Sequence, residues 1–126
     1  MKITSCLHTA ILVSDLNKAE QFYGNILGLS KSSKRTSNFL GAWYQIGEHQ
    51  LHIIVRPDFE AKIHNMEKWG RNAHVAFTVD DLNTAKQKLQ DQGHPIQMSS
   101  SGRAAFFTLD PDNNIIELSQ VNQNSK

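Results

Sequence analysis

One ten-residue segment occurs twice in this chain. His8-Thr-Ala-Ile-Leu-Val-Ser-Asp-Leu-Asn17 returns as His74-Val-Ala-Phe-Thr-Val-Asp-Asp-Leu-Asn83. At an offset of 66 residues, His8/His74, Ala10/Ala76, Val13/Val79, Asp15/Asp81, Leu16/Leu82 and Asn17/Asn83 are identical pairs. Ala19/Ala85 and Gln21/Gln87 carry the match onward without a gap. Self-similarity at one long spacing marks a duplicated structural unit. The 126 residues therefore read as one domain made of two modules, about 1–56 and 72–122, joined by a connector at 57–71.

Each module opens with a strand, Leu7–Val13 or Ala73–Val79, rich in apolar and β-branched residues. Asp15 and Asp81 follow as helix caps. Leu16, Ala19, Phe22, Tyr23, Ile26 and Leu27 then form the stripe of a helix with one buried face, with Gly28 as its stop. The second helix carries Leu82, Ala85 and Leu89 and ends near Gly93. Phe39–Ile46 and Gln50–Val55 form a hairpin across Gly47-Glu48. Ala104–Leu109 and Asn114–Val121 form its counterpart across an Asp-Pro-Asp-Asn turn, where asparagine tolerates positive φ. Weaker strands are expected near Leu29–Lys34 and Ile96–Ser99. The fold class is thus α+β, with β-α-β-β-β written twice. In the connector, Phe59, Ile63, Met66 and Trp69 stand at helical spacing and predict a partly helical segment.

Composition excludes several classes. Apolar residues make up 39% and charged residues 20%, an ordinary globular balance. The net charge is +1, and the nearest approach to a basic patch is Lys31, Lys34 and Arg35 among serines, so no nucleic-acid partner is expected. No run approaches the roughly 18–20 apolar residues of a membrane span. Met1–Ser5 leads into the first strand without a signal-peptide core, and Cys6 is the only cysteine. A cytoplasmic protein in a reducing compartment is the expectation.

Side chains alternate faces along a strand. His8 shares a face with Ala10 and Leu12, and His74 with Ala76 and Thr78. Leu51-His52-Ile53 aligns with Ile116-Glu117-Leu118 at an offset of 65. His52 and Glu117 are then equivalent as well, each a metal-capable side chain between two apolar neighbours. A single strand histidine is more often packed or hydrogen-bonded than a ligand. Four such residues at repeat-related positions point to a metal site. Three imidazoles and a carboxylate suit Zn, Ni, Fe or Mn and poorly suit Ca or Mg. His49, His64 and His94 read as surface residues.

The Gly47-Glu48 turn pairs Gln45 with Gln50 and Trp43 with His52, which sets Trp43 on the metal face as a wall of a substrate pocket or as core. Phe107 is its counterpart in the second module. Arg56 shares the parity of His52 and is a candidate for a substrate carboxylate, against the commoner role of a solvent-facing arginine. Arg103, after Gly102 in a serine-rich loop, either closes over a ligand or stays mobile.

Leu7-His8-Thr-Ala-Ile-Leu-Val-Ser-Asp-Leu16, Phe22-Tyr23, Leu27-Gly28-Leu29, Ala73-His74-Val-Ala-Phe-Thr-Val79, Asp110-Pro111-Asp112 and Ile116-Glu117-Leu118 together resemble the vicinal oxygen chelate superfamily. That superfamily includes glyoxalase I, fosfomycin-resistance thiol transferases, extradiol dioxygenases and bleomycin-binding proteins. The resemblance covers nearly the whole chain. It implies paired βαβββ modules, a divalent metal on residues matching His8, His74 and Glu117, and a fourth ligand at position 52 as in glyoxalase I. It also implies a homodimer in which modules pair between chains. Three departures bear on the reaction. Bacterial-type glyoxalase I has glutamate where this chain has His52. The thiol transferases have polar side chains where Ala10, Ala105 and Phe107 stand. Asn113 replaces a common glycine.

The leading expectation is a metal-dependent lyase or isomerase acting on a small oxygen-bearing substrate, with Glu117 also moving a proton. A metal-dependent dioxygenase of extradiol type is the alternative. A non-catalytic, bleomycin-resistance-like protein that sequesters a small molecule is a third reading, against which the retained ligand set argues.

Overall fold

The computed structural model describes residues 1–121. The last position of the expected second module, 122, lies outside the described residues. The chain divides into two compact units, Met1–Glu60 and Ala61–Lys126.

The first unit runs β1 (His8–Val13), α1 (Leu16–Glu20), a π-helical segment (Gln21–Ile26), β2 (Ser30–Lys31), β3 (Gly41–Ile46) and β4 (His49–Val55). Its sheet has the order β1-β4-β3-β2, with β1 parallel to β4 and the rest antiparallel. The second unit repeats this with β5 (His74–Thr78), α2 (Leu82–Asp91), β6 (Ile96–Met98), β7 (Ala105–Leu109) and β8 (Ile115–Ser119), in the order β5-β8-β7-β6. The duplicated βαβββ topology read from the repeat is the observed one. The strand ends differ from the expected runs: β4 starts one residue earlier, at His49, β2 keeps only Ser30–Lys31 of the run expected near 29–34, and β8 stops at Ser119.

Local chemistry explains the shared elements. Asp15 and Asp81 accept from the backbone N–H of Lys18 and Thr84, capping both helices. Gly47, at φ 59°, makes the two-residue turn that sets the β3–β4 register, with Gln45 opposite Gln50 and Trp43 opposite His52. Asn113 adopts φ 67° in the second hairpin turn. The Asp110 carboxylate beside it accepts from the backbone N–H groups of Asp112 and Asn114.

Each unit has a buried apolar sheet face, and in the second unit Ala105, Phe107, Ile115 and Glu117 on the other face are buried too. Val13, Ala42, Tyr44, Leu51 and Ile53 are buried with Ala19, Phe22, Tyr23 and Ile26 of the first helical stretch. Phe106, Thr108, Ile116 and Leu118 are buried with Leu82 and Leu89 in the second unit. The alternate strand positions carry His8, Trp43, His52, His74, Phe107 and Glu117.

Two expectations are corrected. The first helix does not keep α geometry to Leu27. Its second half widens into a π turn, where Leu27 N–H reaches the carbonyl of Phe22 at 2.8 Å. The connector forms only a 3-10 turn, Trp69–Arg71, instead of a partial helix. Side chains take over its backbone bonding: Asn72 Oδ1 accepts from the N–H of His64 and Asn65, and its Nδ2 donates to the carbonyls of Asn65 and Trp69. Among the described residues no helix is long and apolar enough to cross a membrane.

Candidate metal centre

Strand pairing brings the expected residues together as two pairs, one in each unit. Ala10 and Trp43 flank His52 in register, and Ala76 and Phe107 flank Glu117 in the same way. His52 and Glu117 therefore occupy equivalent points of two like sheets, and so do Trp43 and Phe107.

In the first unit His52 is 9% exposed and lies within a stack of three rings. Trp43 covers one face at 4.0 Å between centroids and 2° between planes, and His8 covers the other at 4.0 Å and 8°. His8 itself is exposed. A run of amides settles the protonation of His52. The Gly47 carbonyl accepts from Gln45 Nε2 at 2.8 Å, Gln45 Oε1 accepts from Gln50 Nε2 at 3.1 Å, and Gln50 Oε1 lies 2.9 Å from His52 Nε2. With a carbonyl at the far end, each amide has one orientation. His52 Nε2 must then carry the proton and donate, leaving the lone pair on Nδ1. Burial, followed by the neighbouring His8 and His49, lowers the pKa of this imidazole from its usual value.

In the second unit His74 Nδ1 lies 2.7 Å from the Asn72 carbonyl, so Nδ1 donates. The opposite nitrogen, Nε2, faces Glu117 Oε1 at 3.2 Å. In neutral imidazole that nitrogen is an acceptor. Two acceptors facing each other require a cation between or beside them, either a proton or a metal. An ion with bonds of about 2.1 Å separates neighbouring donors by roughly 3.0–3.4 Å, which spans this distance. A histidine whose other ring nitrogen donates to a backbone carbonyl is also the usual outer arrangement of a metal ligand. Glu117 is 7% exposed, and its second oxygen accepts from Arg103 Nη1 at 3.2 Å. Phe107 packs edge-on against His74 at 5.5 Å and 88°.

The donor chemistry fits a divalent transition metal, with one restriction. Parallel rings 4.0 Å apart aim their in-plane lone pairs along separate planes. One ion at about 2.0–2.1 Å from each nitrogen cannot lie in both planes. As placed, only one of His8 and His52 can donate to a given ion. Among the described residues no group of three or more histidine, cysteine, aspartate or glutamate side chains is placed to hold a metal.

The remaining expected residues separate. Arg56 stands just past β4 in solvent, its Nε donating to Asp58 at 3.0 Å. His49 and His94 are half-buried instead of lying on the surface. His49 Nε2 is 3.0 Å from the Thr9 hydroxyl, and His94 Nδ1 is 3.1 Å from the Leu109 carbonyl. Sequence reasoning missed Gln45, Gln50 and Asn72, the residues that assign the imidazole protons. Their signal is weak, because amides near a strand end are common and only the register puts them in a row.

Two like units of βαβββ order are the duplicated plan of the glyoxalase-type fold. The chain belongs to the Glyoxalase/Bleomycin resistance protein/Dioxygenase superfamily, whose model matches residues 5–118. It is 31% identical, over 91% of its length and 94% of the other, to a Synechocystis protein named "Probable lactoylglutathione lyase". It is also 31% identical to the glutathione transferase FosA of Serratia marcescens, over 92% of this chain and 80% of that one. Among solved structures it is similar to a mutant of the fosfomycin resistance protein FosX from Listeria monocytogenes, complexed with Mn(II) and a dihydroxypropylphosphonic acid. The TM-score is 0.72 at 20% identity, covering 97% of this chain and 95% of that one.

Proposed function

We propose that the chain is a metal-dependent enzyme of lyase or isomerase type acting on a small oxygen-bearing substrate. His8, His74 and Glu117 hold the metal (Zn, Ni, Fe or Mn), and His52 joins them only when its ring turns out of the stack. Each module carries half of the donors. The reading therefore includes a homodimer in which modules pair between chains and each site draws ligands from both subunits.

The observation that carries the reading is the His74–Glu117 pair, with the imidazole proton committed to Asn72 and an acceptor nitrogen 3.2 Å from an acceptor oxygen. Relatives named as a lyase and as a glutathione transferase support a small-molecule reaction. A divalent ion held there supplies Lewis-acid polarisation of substrate oxygens. The protein does the rest. Trp43 and Phe107 give each half-site an aromatic wall that excludes water. Arg103 steadies Glu117 through one oxygen, and Glu117 takes and returns a substrate proton at a carboxylate oxygen. His52, with its lone pair on Nδ1, accepts a hydrogen bond or proton from substrate. Arg56 meets a substrate carboxylate only by leaving Asp58.

Elemental analysis of the purified protein, of His8→Ala and of Glu117→Ala tests the site. Unchanged metal content in both variants rejects it. Disappearance of the hemithioacetal of methylglyoxal and glutathione tests the lyase, and inactivity of metal-loaded protein removes that assignment.

One observation favours a second reading. With His52 kept in its stack, the donors are two histidines and one carboxylate, the set used by non-heme Fe(II) oxygenases. Oxygen uptake by iron-loaded protein with a catechol panel separates this dioxygenase from the lyase. Sequestration without turnover is the outcome if purified protein retains no metal and is inactive in both assays.

A further inference from the structure

The second unit contains a cleft of about 380 Å³ between the 3-10 turn of the connector and the 99–103 loop. Its chemistry is one-sided. Lys68, Arg71 and Arg103 line it, with serines 99–101, against a single carboxylate, Glu67. Among the described residues the side chains of Lys68 and Arg71 are in no ion pair. Its floor is Phe107, the ring that packs edge-on against His74. Gly70 brings the 3-10 turn down onto that ring, and a Cβ there would stand 2.5 Å from the tip of Phe107. A side chain at position 70 would have to displace the Phe107 ring, so the close approach of the turn that carries Lys68 and Arg71 rests on glycine there.

Arg103 connects the cleft to the candidate metal centre. Its Nε donates to Ser101 Oγ at 3.1 Å and its Nη1 to Glu117 Oε2 at 3.2 Å. A guanidinium has five N–H donors in a planar fork. These two bonds leave donors for a ligand in the cleft. Serine hydroxyls rotate to suit a ligand, and guanidinium groups recognise planar or tetrahedral oxyanions by paired hydrogen bonds.

We propose that this cleft is an oxyanion subsite: it takes a carboxylate, phosphate or phosphonate group through Arg71, Lys68 and Arg103. Resting on the function proposed above, it assigns the substrate an anionic group next to the oxygens that face His74 and Glu117. It also explains why a guanidinium sits on a metal-ligand carboxylate, since Arg103 serves both groups.

The test uses the full chain stripped of metal, titrated with inorganic phosphate at constant ionic strength. Amide NMR shifts follow residues 68–71 and 99–103. Saturable shifts in both segments are expected. Arg71→Ala should weaken binding at least fivefold, Arg71→Lys should weaken it less, and Lys18→Ala on the first helix should leave it unchanged. Glu117→Ala, which releases Arg103, should tighten phosphate binding about threefold or more while metal content falls. Absence of saturable shifts, or equal phosphate affinity in wild type and Arg71→Ala, overturns the subsite. Metal analysis of the same variants keeps the two readings apart. Loss of phosphate binding with metal retained in Arg71→Ala speaks for the cleft alone. Unchanged metal in His8→Ala and Glu117→Ala rejects the metal centre without touching the cleft.

Discussion

Nε2 of His74 stands 3.2 Å from Oε1 of Glu117, across the parallel pairing of β5 and β8, while its Nδ1 is committed to the Asn72 carbonyl. Neither side chain has a proton of its own to put between them when the imidazole is neutral. Replacing Glu117 by Gln keeps the shape and removes the charge. Glu117→Gln is expected to lower affinity for Zn(II) or Mn(II) at least tenfold, read by equilibrium dialysis, with an unchanged far-UV circular dichroism spectrum. Wild-type affinity in the variant would mean that the pair holds a proton only.

His8 and His52 are expected to differ in their effect on metal. The His8 ring is exposed and packs on one side against His52, whereas His52 is covered on both faces and tied to Gln50. His8→Ala should lose most bound metal, and His52→Ala should keep the majority while turnover falls. Equal losses, measured by elemental analysis, would show that the His52 ring leaves its stack to become a ligand.

Gly41 is tight for a reason of space. A Cβ there would collide with the carbonyl oxygen of Ile53 on the neighbouring strand. Backbone cannot move aside as a flexible side chain does, so Gly41→Ala must open the β3–β4 ladder. A loss of about 2 kcal/mol or more is expected from overpacking of this kind. Urea denaturation checks it, and a midpoint equal to wild type would contradict the register.

Tyr44 is fully buried, and its hydroxyl has no hydrogen-bond partner among the described residues. Removing an unmatched buried hydroxyl is close to neutral. Tyr44→Phe should therefore leave stability within about 1 kcal/mol of wild type or raise it. Burial, with Glu20 nearby, also pushes the Tyr44 pKa up to about 12. The folded chain then holds this proton where the unfolded chain has lost it. Its contribution is complete below the unfolded value near 10 and disappears as pH rises through about 12. Wild type should lose stability across that alkaline window more steeply than Tyr44→Phe, in denaturation series at matched ionic strength.

Much of this architecture was legible because it is local or repeated. Caps at Asp15 and Asp81, the Gly47-Glu48 turn and the pairing of Trp43 with His52 each depend on residues a few positions apart. The offset of 66 then made each module a check on the other. The connector was misread because helical spacing of Phe59, Ile63, Met66 and Trp69 says nothing about competing side chains. Asn72 bonds the backbone up to eight residues upstream, and that competition is invisible to periodicity.

By itself the sequence determined the duplicated βαβββ plan and the equivalence of His8 with His74 and of His52 with Glu117, since alternation along a strand and equivalence between copies are properties of order along the chain. Only the tertiary structure decided which nitrogen of His52 and His74 carries its proton, that His8 and His52 stack instead of converging, and that Arg103 reaches Glu117. Those outcomes depend on distances between groups far apart in the chain, and hydrogen-bond direction and ring orientation exist only once strands and loops have packed.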